Sequence, residues 1–179
     1  MTGFLGLVAL VAAVIFAIGA SSADAPRVWS IYLVNLVFWS GLAVTGPAIA
    51  GMMQLTEARW SPSVRRIAVT TAGFLPAAFV LLLVLFIGRA TLYPWTTNPL
   101  PVKAVWLNTP FFWGRNVGLA LALFTVCLVF ARMSLRDPIP PDNEGERGRR
   151  NRVATTLLFL WIITVSLWGF DLVMSLDPK

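Results

Sequence analysis

Five apolar runs, separated by short polar links, divide this 179-residue chain. Hydrocarbon offers no water to the backbone, so a segment that crosses a bilayer must satisfy its own N–H and C=O groups, which the α-helix does. The runs begin at Phe4, Trp29, Ile67, Phe111 and Val153. They predict an all-α integral membrane protein of about five transmembrane helices, one peripheral helix plus a four-helix bundle. Residues 1–28 hold the first helix and an outer link. Residues 29–179 hold the bundle, with helices near 29–54, 67–88, 111–133 and 153–176 and a hydrophilic cytoplasmic loop at 134–152. With 58% hydrophobic and 12% charged residues and a mean hydropathy of +0.77, burial means burial in lipid.

The first run, Phe4 to Ala20, is just long enough to span at 1.5 Å per residue. The small residues from Ala20 to Ala25 could suit a signal-peptide cleavage site. The start MTGF carries no Lys or Arg to make a charged n-region, which favours a retained helix.

Charge placement gives the orientation. The net charge is +6, and nine of the 14 Lys and Arg (Arg59, Arg65, Arg66, Arg132, Arg136, Arg147, Arg149, Arg150 and Arg152) fall in the links after helices two and four. That bias puts those links and the amino terminus in the cytoplasm and the carboxyl terminus outside. It also accounts for the basic balance without nucleic acid. The chain has no histidine and one cysteine, Cys127, inside an apolar run. It therefore lacks the ligand sets of c-type haem, iron–sulfur clusters and zinc, and Cys127 reads as a small hydrophobe.

Within the second run, Tyr32, Asn35, Trp39, Gly46 and Met53 recur at helical spacing and predict a shared face. Gly46 and Ala50 offer a close helix contact, Pro47 predicts a kink, and Asn35 suits a hydrogen bond to another helix. The link Ala90 to Pro110, rich in Pro and aromatics, reads as a loop lying on the bilayer surface. Gly114, Gly118 and Ala122 give the fourth helix a smooth face for close packing.

One acid interrupts the last apolar run, in WGFDLVMSLDP: Asp171, with Asp177 where the run stops. An Asp at the centre of a membrane helix costs roughly 2.5–3.5 kcal/mol, less toward the interface, so it needs a partner or a function. Helix four starts from Pro110 and helix five ends at Asp177 on the same side. Arg115 and Asp171 then lie roughly 8 and 9 Å inside that boundary at 1.5 Å per residue, and antiparallel neighbours should bring them face to face. Trp161, Thr164, Trp168, Asp171 and Ser175 form one stripe at spacings of three and four, expected to face protein. With Arg115 close, Asp171 stays ionised in a structural pair; without it, desolvation makes the acid a candidate proton carrier. No Ser, His and Asp set and no phosphate loop is present, so the chain carries no autonomous catalytic site.

Four stretches resemble a known family: Tyr32 through Trp39, Gly46 and Trp60 to Arg66; LYPW at Leu92–Trp95; KAVWLNTPFFWGR at Lys103–Arg115; and FDLVMSLDP at Phe170–Pro178. Together they are similar to the amino-terminal part of the ActF-type membrane subunit of bacterial alternative complex III, related to the NrfD and polysulfide-reductase membrane subunits. The likeness covers about residues 29–178. It implies a bacterial inner-membrane quinol:electron-acceptor oxidoreductase complex in which haem c, iron–sulfur clusters and quinol belong to partner subunits. Implied partners are an ActC-type subunit and periplasmic haem and iron–sulfur subunits; the family continues beyond MSLDP where this sequence reaches Lys179, so the second bundle belongs either to a second-bundle chain completing a split subunit or to a longer chain of which this is part. The implied role is scaffolding, with proton conduction through Asp171, Arg115, Asp177, Ser175 and Thr164 as a further option. Two other readings stay open: a direct share in a quinol site through Tyr32, Asn35, Arg115 and Asp171, and a small transporter or channel subunit.

Overall fold

The structure, a computed structural model, describes residues 2–58, 62–98, 103, 105–136 and 144–176. The described residues are all-helical, with no strand. Four helical stretches are long and apolar enough to cross a membrane, and a shorter apolar helix precedes them. The chain is an all-α, multi-pass membrane protein.

Helix α1 (Thr2–Ala20) packs against α2 (Ala25–Leu55), where Phe16 meets the rings of Trp29 and Tyr32 at 5.1 and 4.9 Å. Helix α2 is central to the bundle: it touches α3 (Pro62–Thr70), α4 (Leu75–Leu85), α6 (Thr109–Arg136) and α7 (Glu144–Trp168). Helices α6 and α7 pack along each other, and the α3–α4 span closes the bundle against α2 and α6.

Pro47, expected to kink its helix, and Pro76 of the third span behave differently. Helix α2 continues through Pro47 as a single element. The third span instead tightens into a 3-10 turn at Thr71–Phe74 just before Pro76. Pro76 has no N–H for the Ala72 carbonyl, and its ring crowds that oxygen, so the preceding turn re-pairs at shorter range.

Close approach at Gly46 fixes α2 against the third span. A Cβ there would lie 2.2 Å from both the Ala68 carbonyl oxygen and Thr71 Oγ1. The Thr71 hydroxyl donates toward Ala43 O of α2 at 3.0 Å and Ala68 O at 2.9 Å. At the arginine-rich end of the bundle, Arg65 Nη1 donates to Gln54 Oε1 (2.8 Å), and Gln54 Nε2 donates to Asn151 Oδ1 (3.0 Å). This link ties α3, α2 and α7 together.

Several expectations need correction. Residues 144–152 are not loop but the first turns of α7, which starts nine residues before 153. Glu144 and Glu146 suit a helix N-terminus, and Glu146 pairs with Arg150 one turn on at 3.4 Å. The expected shared face of α2 divides, since Gly46 is buried whereas Asn35 and Trp39 are exposed. Burial depends on which neighbour reaches a given level as well as on helical angle, and the third span arrives at Gly46. The Asn35 amide donates to Ile31 O of its own helix at 2.9 Å rather than to another helix. Gly114 and Gly118 face outward, with nothing within 4 Å of a Cβ at either, so this stripe is not a packing face inside the chain.

Candidate functional site

The only residue of the last span with a full charge in its apolar part, Asp171, is completely buried. Helix α7 changes pitch there: Gly169–Val173 forms a π-helical turn, followed by a 3-10 turn at Met174–Leu176. Such widening displaces backbone groups from the regular ladder, and they need partners from elsewhere.

The carboxylate meets donors from two segments. Arg115 Nε donates to Oδ2 at 2.8 Å, and Arg115 Nη2 lies 2.6 Å from the same oxygen. Asn116 Nδ2 donates to Oδ2 at 2.9 Å, and Trp106 Nε1 donates to Oδ1 at 3.0 Å. Asn116 Nδ2 also donates to Phe112 O at 2.8 Å. Flipping that amide would set its oxygen against a carbonyl and a carboxylate, so the orientation is determined by its surroundings. The Arg115 guanidinium is covered by the Trp106 ring, 3.9 Å from its centroid, and flanked by Phe111 at 4.7 Å. Aromatic faces stabilise a cation that has left water. Every neighbour named at the carboxylate is an N–H donor, and one of them is a cation.

The backbone around Asp171 is held by the link before α6. Tyr93 donates its hydroxyl to Leu172 O at 3.1 Å, Trp95 Nε1 donates to Ser175 O at 3.0 Å, and the Ser175 hydroxyl donates to Asp171 O. The reading of Ala90 to Pro110 as loop is therefore corrected in part. Its described part forms a helical turn, α5 (Arg89–Leu92), and a 3-10 turn (Pro94–Thr96), and buries Tyr93 and Trp95. The orphan carbonyls at the end of the last span draw these two donors inward. Burial, and secondarily the Asp171 carboxylate, push the Tyr93 hydroxyl well above the ordinary tyrosine range, so it stays a donor at neutral pH.

Replacing Tyr93 by Phe leaves Leu172 O buried without its donor. The expected cost is about 1–3 kcal/mol, measured as a lower thermal midpoint of the purified protein in detergent.

Of the candidate residues, the structure brings Arg115, Asp171 and Ser175 together. Thr164 and Trp168 are buried on the same stripe. Tyr32 stands apart, its hydroxyl donating to Leu81 O of α4 at 2.7 Å, and Asn35 faces outward. Asp177 lies outside the described residues. Sequence reasoning missed Asn116, Trp106, Tyr93 and Trp95 as members of the site. A buried amide beside Arg115 was a readable signal; the two loop aromatics gave none beyond their own N–H and O–H groups.

Comparison of the chain with protein-family models and with curated proteins gives no match.

Proposed function

We propose that this chain is a membrane subunit of a quinol-oxidising electron-transfer complex of the alternative complex III type. It acts as a scaffold, with haem c, iron–sulfur clusters and quinol on partner subunits. One observation carries the reading: three separate stretches on which the resemblance rests meet at one site. LYPW supplies Tyr93 and Trp95, KAVWLNTPFFWGR supplies Trp106 and Arg115, and FDLVMSLDP supplies Asp171, Leu172 and Ser175. The Asp171 site ties the end of the last helix to the loop before α6, and so shapes the face on which periplasmic subunits would sit. In this reading the membrane is the bacterial inner membrane, with the amino terminus cytoplasmic, and an ActC-type subunit belongs to the membrane part.

The direct quinol-site reading is weaker, because Tyr32 and Asn35 do not join Arg115 and Asp171. Proton conduction keeps one supporting observation. The buried atoms Asn116 Oδ1, Thr164 Oγ1 and Ser40 Oγ have no hydrogen-bond partner among the described residues. The antiparallel pairing of Gln54 with Asn151 and Gly51 with Ala154 sets Ser40 level with Thr164. Polar atoms left over in a bundle interior suit a short file of waters.

Tagging the chain and purifying it from native membranes in mild detergent is expected to bring down c-type haem absorbance and iron–sulfur EPR signals. Recovery without redox subunits would overturn the proposal. In the assembled complex, Asp171→Asn with normal assembly and normal pumping would rule out a relay through this acid.

A further inference from the structure

Between the arginine-rich ends of α6 and α7 lies an open groove of about 190 Å³. It is lined by Val126 and Val129 of α6 and by Arg152, Val153 and Thr156 of α7. Its walls are almost wholly apolar, and charge gathers at one end only. Arg149 precedes Arg152 by three residues and so continues the same face of α7, while Arg132 and Arg136 follow Val129 by three and seven on α6. All four arginines are exposed. Among the described residues, none of them is paired with a carboxylate: the ion pairs there use Arg115, Arg147 and Arg150. The acids nearest in sequence are Asp137, beside Arg136, and Glu144 and Glu146, before Arg149; Glu146 is engaged by Arg150 at 3.4 Å. Arg152 Nε donates to Gly148 O at 3.4 Å.

We propose that this groove is a binding site for an anionic phospholipid, its phosphate held by Arg149 and Arg152 and part of one acyl chain lying along Val126, Val129 and Val153. Charge complementarity selects the occupant. A soluble anion would gain nothing from the apolar walls, and an uncharged apolar ligand nothing from the guanidiniums. An amphiphile with an anionic head uses both, and it is abundant where a membrane helix leaves the hydrocarbon. Guanidinium forks also match phosphate oxygens in geometry. The site lies at the opposite end of α7 from Asp171 and is independent of the function proposed above.

The test is native mass spectrometry of the full chain released from nanodiscs containing equal amounts of phosphatidylglycerol and phosphatidylcholine. The expected result is selective retention of phosphatidylglycerol. Arg149→Gln/Arg152→Gln should weaken that retention roughly 30-fold, about fivefold for each surface charge lost. Val129→Trp, which fills the groove but keeps the arginines, should also lower it. Equal retention of the two lipids, or unchanged retention in either variant, overturns the proposal. A photo-crosslinker at position 129 in native membranes decides the occupant: a lipid adduct supports the site, and a protein adduct overturns it.

Discussion

Asp171→Ala is expected to destabilise the protein by about 3–5 kcal/mol, the usual cost of breaking a buried ion pair by removing one partner. The size follows from what remains. Arg115 would keep its charge beside Trp106 and Phe111 with no anion, and Asn116 Nδ2 and Trp106 Nε1 would each lose an acceptor. Unfolding in detergent, followed by tryptophan fluorescence against added SDS, measures it. Asp171→Asn should fall between, since it keeps an acceptor oxygen and removes the charge. Replacing Arg115 and Asp171 together by Leu should cost much less than the sum of the single changes, because no uncompensated charge is left. A loss under 0.5 kcal/mol for Asp171→Ala, well below the values expected of a broken buried pair, would show that the site does not hold the fold together.

Gly46→Ala has the second largest expected effect. The added methyl would sit 2.2 Å from the Ala68 carbonyl oxygen and from Thr71 Oγ1. Backbone cannot rotate away as a side chain can, so α2 and the third span must separate. Overpacking of this kind costs about 1–3 kcal/mol and occasionally more. Gly118→Ala is the matched control, because a Cβ there meets nothing within 4 Å. With no clash, the gain in helix propensity remains, up to about 1 kcal/mol in favour of the variant. Equal thermal midpoints for the two variants would contradict the packing assigned to Gly46.

Hydropathy and charge placement made the spans legible, and counting residues from the two helix ends brought Arg115 level with Asp171. Periodicity then put Trp161, Thr164, Trp168, Asp171 and Ser175 on one stripe, of which the last four are buried and Trp161 is half-buried. What stayed hidden depended on long-range pairing. Nothing local marks Tyr93 and Trp95 as donors to carbonyls about 80 positions later, and an aromatic, proline-rich link reads the same whether it lies on the membrane or turns into the bundle. The start of α7 was obscured for a different reason. Its first turns are dense in charge and hold Gly145 and Gly148, a composition that suits an exposed helix end as well as a loop. At Asn35, helical spacing put the residue on one face with Gly46, but only Gly46 is buried, because spacing does not say at which level a neighbouring helix stands opposite.

The reach of Tyr93 to Leu172 also sets an order of events during synthesis. The donor leaves the ribosome 79 residues before its acceptor. At roughly 5–20 residues per second, the interval is about 4–16 s. Through that time Tyr93 and Trp95 wait in a nascent chain without their acceptors, and the Arg115 guanidinium waits for the 56 residues that separate it from Asp171. The Asp171 span thus acts as a latch: until it is made, the helices before it hold a cation without its counter-ion.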